Sequence, residues 1–335
     1  MGEPFSHYTL IITQTPLRIS LGGGGTDLPN YYRSHGHGFL IAAAITKYVY
    51  LAVNENFDGD TFVRYIKNER VRVADEVQHP LLRECLRASG VRRGVEVTSV
   101  ADVPAGTGLG SSGAFAVGLL KALMHYQHIT MSAMALANEA VRIELEVLQE
   151  PIGKQDQFIA AFGGITGFTF KSDESVEVER LNLSREVRQQ MEENLLLFYT
   201  GTRRSASEAL KSEAIGNFSQ DSLNTNLSDT RAIGYETRDL LLSGDLAGFG
   251  QILTRQWKLK FDRQQTDFHL AVSSWIQAGI EAGAYGGKLV GAGGGGFLLF
   301  YADRKKDLRA AMSGLGLHEL TFGIDYEGTR LAVTR

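Results

Sequence analysis

The sequence predicts an α+β protein built in two parts that meet near residue 185. Three observations carry that expectation. Strand-like and helix-like segments alternate through the first half, long helical patterns dominate residues 222–283, and the charged stretch Arg185–Glu193 stands between them. A chain of 335 residues is long enough for two such units, 1–184 and 185–335, around a sizeable core.

The elements follow from local composition. Leu10–Leu21, Phe39–Ile45, Tyr48–Val53, Thr61–Ile66 and Val95–Val100 are rich in β-branched and aromatic residues and read as strands. Helical spacing of apolar residues marks Leu28–Ser34, Leu81–Ala88, Ser112–Tyr126 and Ser132–Gln149. Strands return at Ile165–Phe170 and Val176–Leu181. Past the charged stretch, Leu195–Tyr199 reads as the strand that opens the second unit. Helices follow at Ser222–Leu242, Leu246–Lys260 and Phe268–Gly283, with Trp257 and Trp275 packing among them. The chain closes with Lys288–Val290, a glycine cluster, Phe297–Tyr301, a helix at Lys305–Leu315 and strands at His318–Ile324 and Thr329–Val333.

Bulk properties exclude several classes. A formal charge of −4 gives no electrostatic case for nucleic acid or an anionic membrane. No apolar run reaches membrane-spanning length, and the N-terminus lacks a signal-peptide pattern. The single cysteine, Cys85, sits on a helix-like run and has no partner in the chain, which fits a reducing cytoplasm. The eight histidines form no metal-ligand pattern.

Function is written in the glycines, 38 of them and clustered. The run Val103-Pro-Ala-Gly-Thr-Gly-Leu-Gly-Ser-Ser-Gly113 opens an apolar helix. A glycine-rich turn at a helix start aims several unpaired N–H groups and the positive end of the helix dipole at one spot, which suits a phosphate. Gly108-Leu-Gly-Ser-Ser-Gly113 also satisfies the dinucleotide pattern G-x-G-x-x-G. Its context argues otherwise, because the preceding strand ends early, Pro104 intervenes and no acidic residue ends a second strand some 20 residues on. A Walker A loop is absent, since neither Gly153-Lys154 nor Gly287-Lys288 is followed by Ser or Thr. Two more clusters, Gly22–Gly25 followed by Thr26 and Asp27, and Gly291-Ala-Gly-Gly-Gly-Gly296, imply backbone packed closely around a shared small ligand. Asp27 is placed either to accept bonds from ligand hydroxyls or to N-cap Leu28–Ser34.

The order of these three clusters resembles that of the GHMP small-molecule kinases, the galacto-, homoserine, mevalonate and phosphomevalonate kinases. Pro104–Ser112 is similar to the family's second motif, which binds ATP phosphates; Gly291–Gly296 is similar to its third, and Thr15-Pro-Leu-Arg-Ile-Ser-Leu-Gly-Gly-Gly24 to its first. Within the family, Gly22–Asp27 and Gly153-Lys-Gln-Asp-Gln157 most resemble the D-glycero-D-manno-heptose 7-phosphate kinases, although fucose kinases share a Gly-Gly-x-Thr-Asp variant. The resemblance implies an N-terminal domain like domain 2 of ribosomal protein S5 and a ferredoxin-like C-terminal domain. It implies a cytoplasmic ATP- and Mg2+-dependent kinase acting on the anomeric hydroxyl of a sugar phosphate, in nucleotide-activated heptose synthesis for surface polysaccharide. A homodimer stays open.

Phosphoryl transfer asks mainly for positioning and charge neutralisation. Pro104, Gly106, Gly108, Leu109, Gly110, Ser111, Ser112 and Gly113 would hold the triphosphate. Ser112 resembles the family's metal-ligand serine. The second metal ligand should be a carboxylate on the next helix. Met134, Ala137, Val141, Leu145 and Leu148 form one apolar stripe at 100° per residue, with Glu144 at its edge and Glu139 and Glu146 pointing away. Glu144 matches the family's glutamate, an internal ion pair with Arg142 would also satisfy it, and Glu146 takes its place if the register slips. Asp156 matches the aspartate that accepts or orients the acceptor hydroxyl, and Arg18 the arginine beside it. Gly24, Gly25, Thr26, Asp27, Lys154, Gly293 and Gly294 are the acceptor-side candidates. Arg203 and Arg204, after the strand at 195–199, are candidates for gripping a phosphate already on the sugar. A galactose- or fucose-type sugar 1-kinase is the alternative. A catalytically inactive sugar sensor is disfavoured, because Ser112, Glu144, Asp156 and all three glycine clusters are in place.

Overall fold

The computed structural model describes residues 10–202 and 220–334. The first sheet is eight-stranded, in the order β12-β1-β2-β5-β3-β4, with β6 paired to β2 and β7 to β6. Its strands are β1 (Ile11–Gly22), β2 (His37–Glu55), β3 (Thr61–Arg64), β4 (Asn68–Val71), β5 (Val95–Ala101), β6 (Ile165–Lys171), β7 (Val176–Arg180) and β12 (Arg330–Thr334). One face is covered by α2 (Pro80–Ser89), α3 (Ser111–Tyr126), α4 (Ala133–Val141) and α5 (Gln155–Phe162), with short α1 (Pro29–Tyr32) at the end of β1. The second sheet, β11-β8-β10-β9, is antiparallel and comprises β8 (Leu195–Tyr199), β9 (Gly286–Leu289), β10 (Phe297–Tyr301) and β11 (His318–Leu320). Around it lie α6 (Arg185–Asn194), α7 (Gln220–Ser243), α8 (Leu246–Arg263), α9 (Asp267–Glu281) and α10 (Lys305–Gly314). This is the α+β class expected from the sequence, with its strands gathered into two sheets.

Three departures from the sequence reading have physical causes. The two strands read at 39–45 and 48–53 are one 19-residue strand. Their apparent break is a bulge: Pro16 of β1 faces Tyr48 and Leu17 faces Ile45, so Thr46 and Lys47 have no partner on β1. Thr46 bonds Gly323 instead, donating from its N–H and accepting at Oγ1. The charged stretch read as a boundary is itself a helix, α6. Ser184 caps it by accepting from the Val187 N–H at 3.2 Å, and Met191, one turn after Val187, is fully buried. Finally, β12 pairs antiparallel with β1, so the unit read as 185–335 gives its last strand to the first sheet.

Two features place the site. Helix α3 lies flat on β1 and β2, with Leu119, Leu120 and Leu123 fully buried, about 1.5–3 kcal/mol each. Gly118 allows that approach, since a Cβ there would sit 2.5 Å from Thr15 Oγ1. Helix α7 crosses back onto β1 and β2, where Tyr235 stacks on Phe39 with ring centroids 4.1 Å apart. The second part is thereby held against the end of β1, and a cleft remains between the two.

Candidate active site

The turn before α3 is held open by three left-handed residues, Gly106, Gly108 and Gly110, at φ 79°, 76° and 75°. Gly110 is the N-cap of α3 and brings no side chain, so the first N–H groups of the helix stay available to a ligand. Ser112 and Pro104 are exposed there and Ser111 is half-buried. The buried Leu109 ties the turn to β1 by accepting from the Arg18 N–H at 2.9 Å.

Against this turn stands the start of α5. Asp156 is the second residue of that helix rather than its cap, a position held by Lys154. Its carboxylate Oδ1 takes Nε and Nη2 of the buried Arg18, both at 2.7 Å. A fork-to-carboxylate bond of this kind fixes direction as well as distance. Gly110 of the turn and Gly113 in the first turn of α3 make room for it: a Cβ on Gly110 would meet Asp156 Cγ at 3.1 Å and one on Gly113 would meet Asp156 Cβ at 2.7 Å.

Glu144 follows in an unexpected geometry. The helix read as continuous to Gln149 changes at Arg142 into a π-helical turn, Arg142–Val147, so the 100° wheel stops applying. Ile143 and Glu144 both turn inward, and Glu144 is 1% exposed. Ser112 Oγ donates to its Oε1 at 2.5 Å and Gln157 Nε2 to its Oε2 at 2.6 Å. Burial pushes its pKa up to about 7, against the pull of those two bonds. The ion pair with Arg142 does not form; Arg142 pairs with Glu139. Glu146 is exposed and lines the cleft. Ser112 and Glu144 thus offer a hydroxyl and a carboxylate beside the phosphate turn. That set fits Mg2+, which takes one or two protein oxygens and the rest from phosphate and water. Among the described residues no group of three His, Cys, Asp or Glu could hold an ion without such help.

Beside Arg18 and Asp156 a cleft of about 870 Å³ runs between the two parts. Gly24, Gly25, Asp27 and Lys154 line it, as the sequence suggested. Asp27 does not cap α1, whose N-cap is Leu28. It is buried and accepts from the N–H of Gly25 and of Gln155, both at 3.1 Å, joining the first glycine turn to α5. Burial raises its pKa. Lys154 is buried, 4% exposed, 2.6 Å from Glu174 and over the ring of Tyr32. Burial opposes ionisation of Glu174, yet bonds from Arg33, Lys154 and Tyr32 bring its pKa down to about 2. Thr26 faces inward, its hydroxyl bonded to Gly23 and Phe39 backbone. Gly291 and Ala292 line the cleft, whereas Gly293 and Gly294 do not; a Cβ on Gly293 would strike Lys260 at 2.8 Å. Arg203 and Arg204 lie outside the described residues.

Sequence reasoning missed Gln157, Gln256 and Lys288. The first stands in the quoted Gly153–Gln157 motif. Gln256 heads a spacing of polar residues, Gln256, Lys260 and Arg263 at i, i+4 and i+7 of α8, all on the cleft. Lys288 precedes the third glycine cluster.

A glycine turn aimed by an uncapped helix, a hydroxyl–carboxylate pair for a cation and an arginine-held aspartate on an open cleft define a small-molecule kinase. Family models agree over more than half of the chain: "GHMP kinases N terminal domain" matches residues 71–164 and "GHMP kinases C terminal" residues 237–316. The protein belongs to the GHMP kinase family of ATP-dependent kinases. It is 26% identical over 311 residues to a D-glycero-alpha-D-manno-heptose 7-phosphate kinase of Campylobacter jejuni, covering 88% of this chain and 90% of that one. A galactokinase of Pyrococcus furiosus is 24% identical at the same coverage. In fold the chain is similar to a D-glycero-D-manno-heptose 1-phosphate kinase of Bacteroides thetaiotaomicron, with a TM-score of 0.77, 24% identity and coverage of 96% and 99%.

Proposed function

We propose that the protein transfers the γ-phosphoryl group of ATP to the anomeric hydroxyl of D-glycero-D-manno-heptose 7-phosphate, yielding the 1,7-bisphosphate. The product would feed nucleotide-activated heptose synthesis for surface polysaccharide. The observation that carries the reading is the Arg18–Asp156 pair, seated where the phosphate turn meets the cleft. The relative in Campylobacter jejuni supports the sugar, and a cleft of about 870 Å³ has room for a phosphorylated heptose. A buried lone cysteine is consistent with a cytoplasmic setting, and among the described residues no helix is long and apolar enough to cross a membrane.

In this reading the N–H groups at the start of α3 bind the β- and γ-phosphates. Asp156 accepts or orients the proton of the attacking hydroxyl, and Arg18 fixes the carboxylate and offsets charge on the phosphoryl oxygens. Ser112 and Glu144 would hold Mg2+, which supplies neutralisation of phosphate charge when bound. Asp27 and Lys154 face the sugar, and Arg203 and Arg204 remain the candidates for its 7-phosphate.

The test is ADP release with Mg-ATP against heptose 7-phosphate, mannose, fucose, galactose and mannose 6-phosphate. Turnover is expected only with the phosphorylated heptose. Asp156→Asn should lower it about 10²–10⁴-fold, the contribution of a general base. Turnover with free galactose or fucose instead would overturn the heptose assignment and favour the galactokinase-like reading, which the Pyrococcus furiosus relative supports.

A further inference from the structure

The wall of the cleft contributed by the second part of the molecule carries chemistry that the proposed reaction does not use. Lys288 lies on β9 and is 3% exposed. It stands three residues before Gly291, whose backbone backs onto Gly108 of the phosphate turn. Its ammonium donates to Ser20 Oγ at 3.3 Å and to Gln256 Oε1, both neutral oxygens, and pairs with no carboxylate among the described residues. Gln256 on α8 is 8% exposed, and its amide Nε2 is buried without a hydrogen-bond partner. Ser20 lies two residues after Arg18 on β1 and so shares its face of the strand. Arg18, Ser20, Gln256 and Lys288 all line the cleft. Burial first, then Lys260 and Arg18, push the Lys288 ammonium well below the ordinary lysine range.

A buried ammonium held by neutral oxygens is costly, and so is a buried amide N–H without an acceptor. One oxygen-rich anion would satisfy both. We propose that Lys288, Gln256 Nε2 and Ser20 form a binding site for a phosphoryl group where the second-part wall of the cleft meets β1. This rests on the kinase reading above and extends it. Two sources bring that chemistry to the site: the γ-phosphoryl group of ATP on its way to the acceptor, and a phosphate already carried by the acceptor.

Two variants test it. Lys288→Met removes the charge at similar length. Gln256→Glu keeps the lysine but gives it an internal carboxylate, filling the site while preserving shape. Thermal unfolding checks that each folds. Titration calorimetry then measures affinity for Mg-ADP, for a non-hydrolysable Mg-ATP analogue and for heptose 7-phosphate. If the site receives the γ-phosphoryl group, the preference for the analogue over Mg-ADP shrinks about 10- to 100-fold, the range for a bond to a charged group, and acceptor affinity holds. If it holds the acceptor's phosphate, heptose 7-phosphate affinity falls by that factor and nucleotide binding is unchanged. Folded variants that bind all three ligands within about twofold of wild type overturn the proposal. Should wild type bind the analogue but no heptose 7-phosphate, the substrate assignment fails while the nucleotide measurements still decide the site.

Discussion

The phosphate turn and the third glycine cluster look alike in sequence but do different work. Gly106, Gly108 and Gly110 alternate in left-handed backbone, open a helix and leave its N–H groups to a ligand. In the cluster at 291–296, only Gly291 and Ala292 reach the cleft. There the crowding is backbone on backbone. A Cβ on Gly291 would lie 2.6 Å from Gly108 Cα, one on Gly295 2.7 Å from the Thr202 carbonyl, and one on Gly296 2.0 Å from the Thr107 carbonyl. One loop is glycine-rich so that a ligand can approach, the other so that the first loop has something to lean on.

That division predicts opposite losses from the same substitution. Gly296→Ala forces a left-handed alanine at φ 108° into the Thr107 carbonyl. The expected cost is about 2–4 kcal/mol, from left-handed strain plus overpacking, and activity falls because the phosphate turn is pushed from behind. Gly110→Ala, at φ 75°, meets side chains rather than backbone, Arg18 Cγ at 3.0 Å and Asp156 Cγ at 3.1 Å. It should cost about 1–2 kcal/mol in stability, yet lose about 100-fold or more in kcat, because it displaces the Arg18–Asp156 pair that we propose as catalytic. Chemical denaturation beside steady-state kinetics separates the two; equal stability losses would erase the distinction.

Glu144 sharpens the same contrast on the ligand-facing side, where function opposes stability. Its ordinary value is 4.5 and the folded value is about 7. Between those pH values the folded protein keeps a proton that the unfolded chain releases, so stability is full below about pH 4.5 and declines as pH rises towards 7. A shift of that size corresponds to about 3 kcal/mol. Glu144→Gln should flatten this slope in the protein without nucleotide, be more stable than wild type at pH 8 and lose most activity with Mg-ATP. A variant whose stability tracks wild type at every pH would refute the buried-carboxylate account.

Much of this was legible in sequence because glycine, serine and aspartate at fixed spacing state a backbone requirement directly. The glycine turn that opens the helix at Ser111 belongs to that class, and the strand segments on either side of residue 185 were legible from their β-branched and aromatic content. The π-turn at Arg142–Val147 was not legible, since a helical wheel assumes a constant 100° step; Glu144 came out buried through a wider turn than the wheel allowed. For Asp27 the sequence left a ligand contact and a local cap both open, because the partner that settles against the cap, the Gln155 N–H, is 128 residues away. Lys288 and Gln256 were invisible for the same reason: their meaning depends on Ser20, which only the packing of β9 and α8 against β1 supplies.

The smallest effect belongs to the first glycine cluster, which joins the two behaviours. Gly23 is pinned, because a Cβ there would lie 2.2 Å from the Phe39 carbonyl, but Gly24 has nothing nearer than Ser20 at 3.9 Å and needs no left-handed backbone. Its neighbour Gly25 and Gly24 itself both line the cleft. Gly24→Ala should therefore leave stability within about 0.5 kcal/mol, as for substitutions that strike nothing. The added methyl group points towards Ser20 and reaches only whatever the cleft holds. KM for the acceptor should rise by a few-fold, on the order of a kcal/mol or less of lost contact, with KM for ATP unchanged. A loss of stability instead would mean that Gly24 supports the turn as Gly296 supports its neighbour, and the ligand-facing class would shrink to the phosphate turn alone.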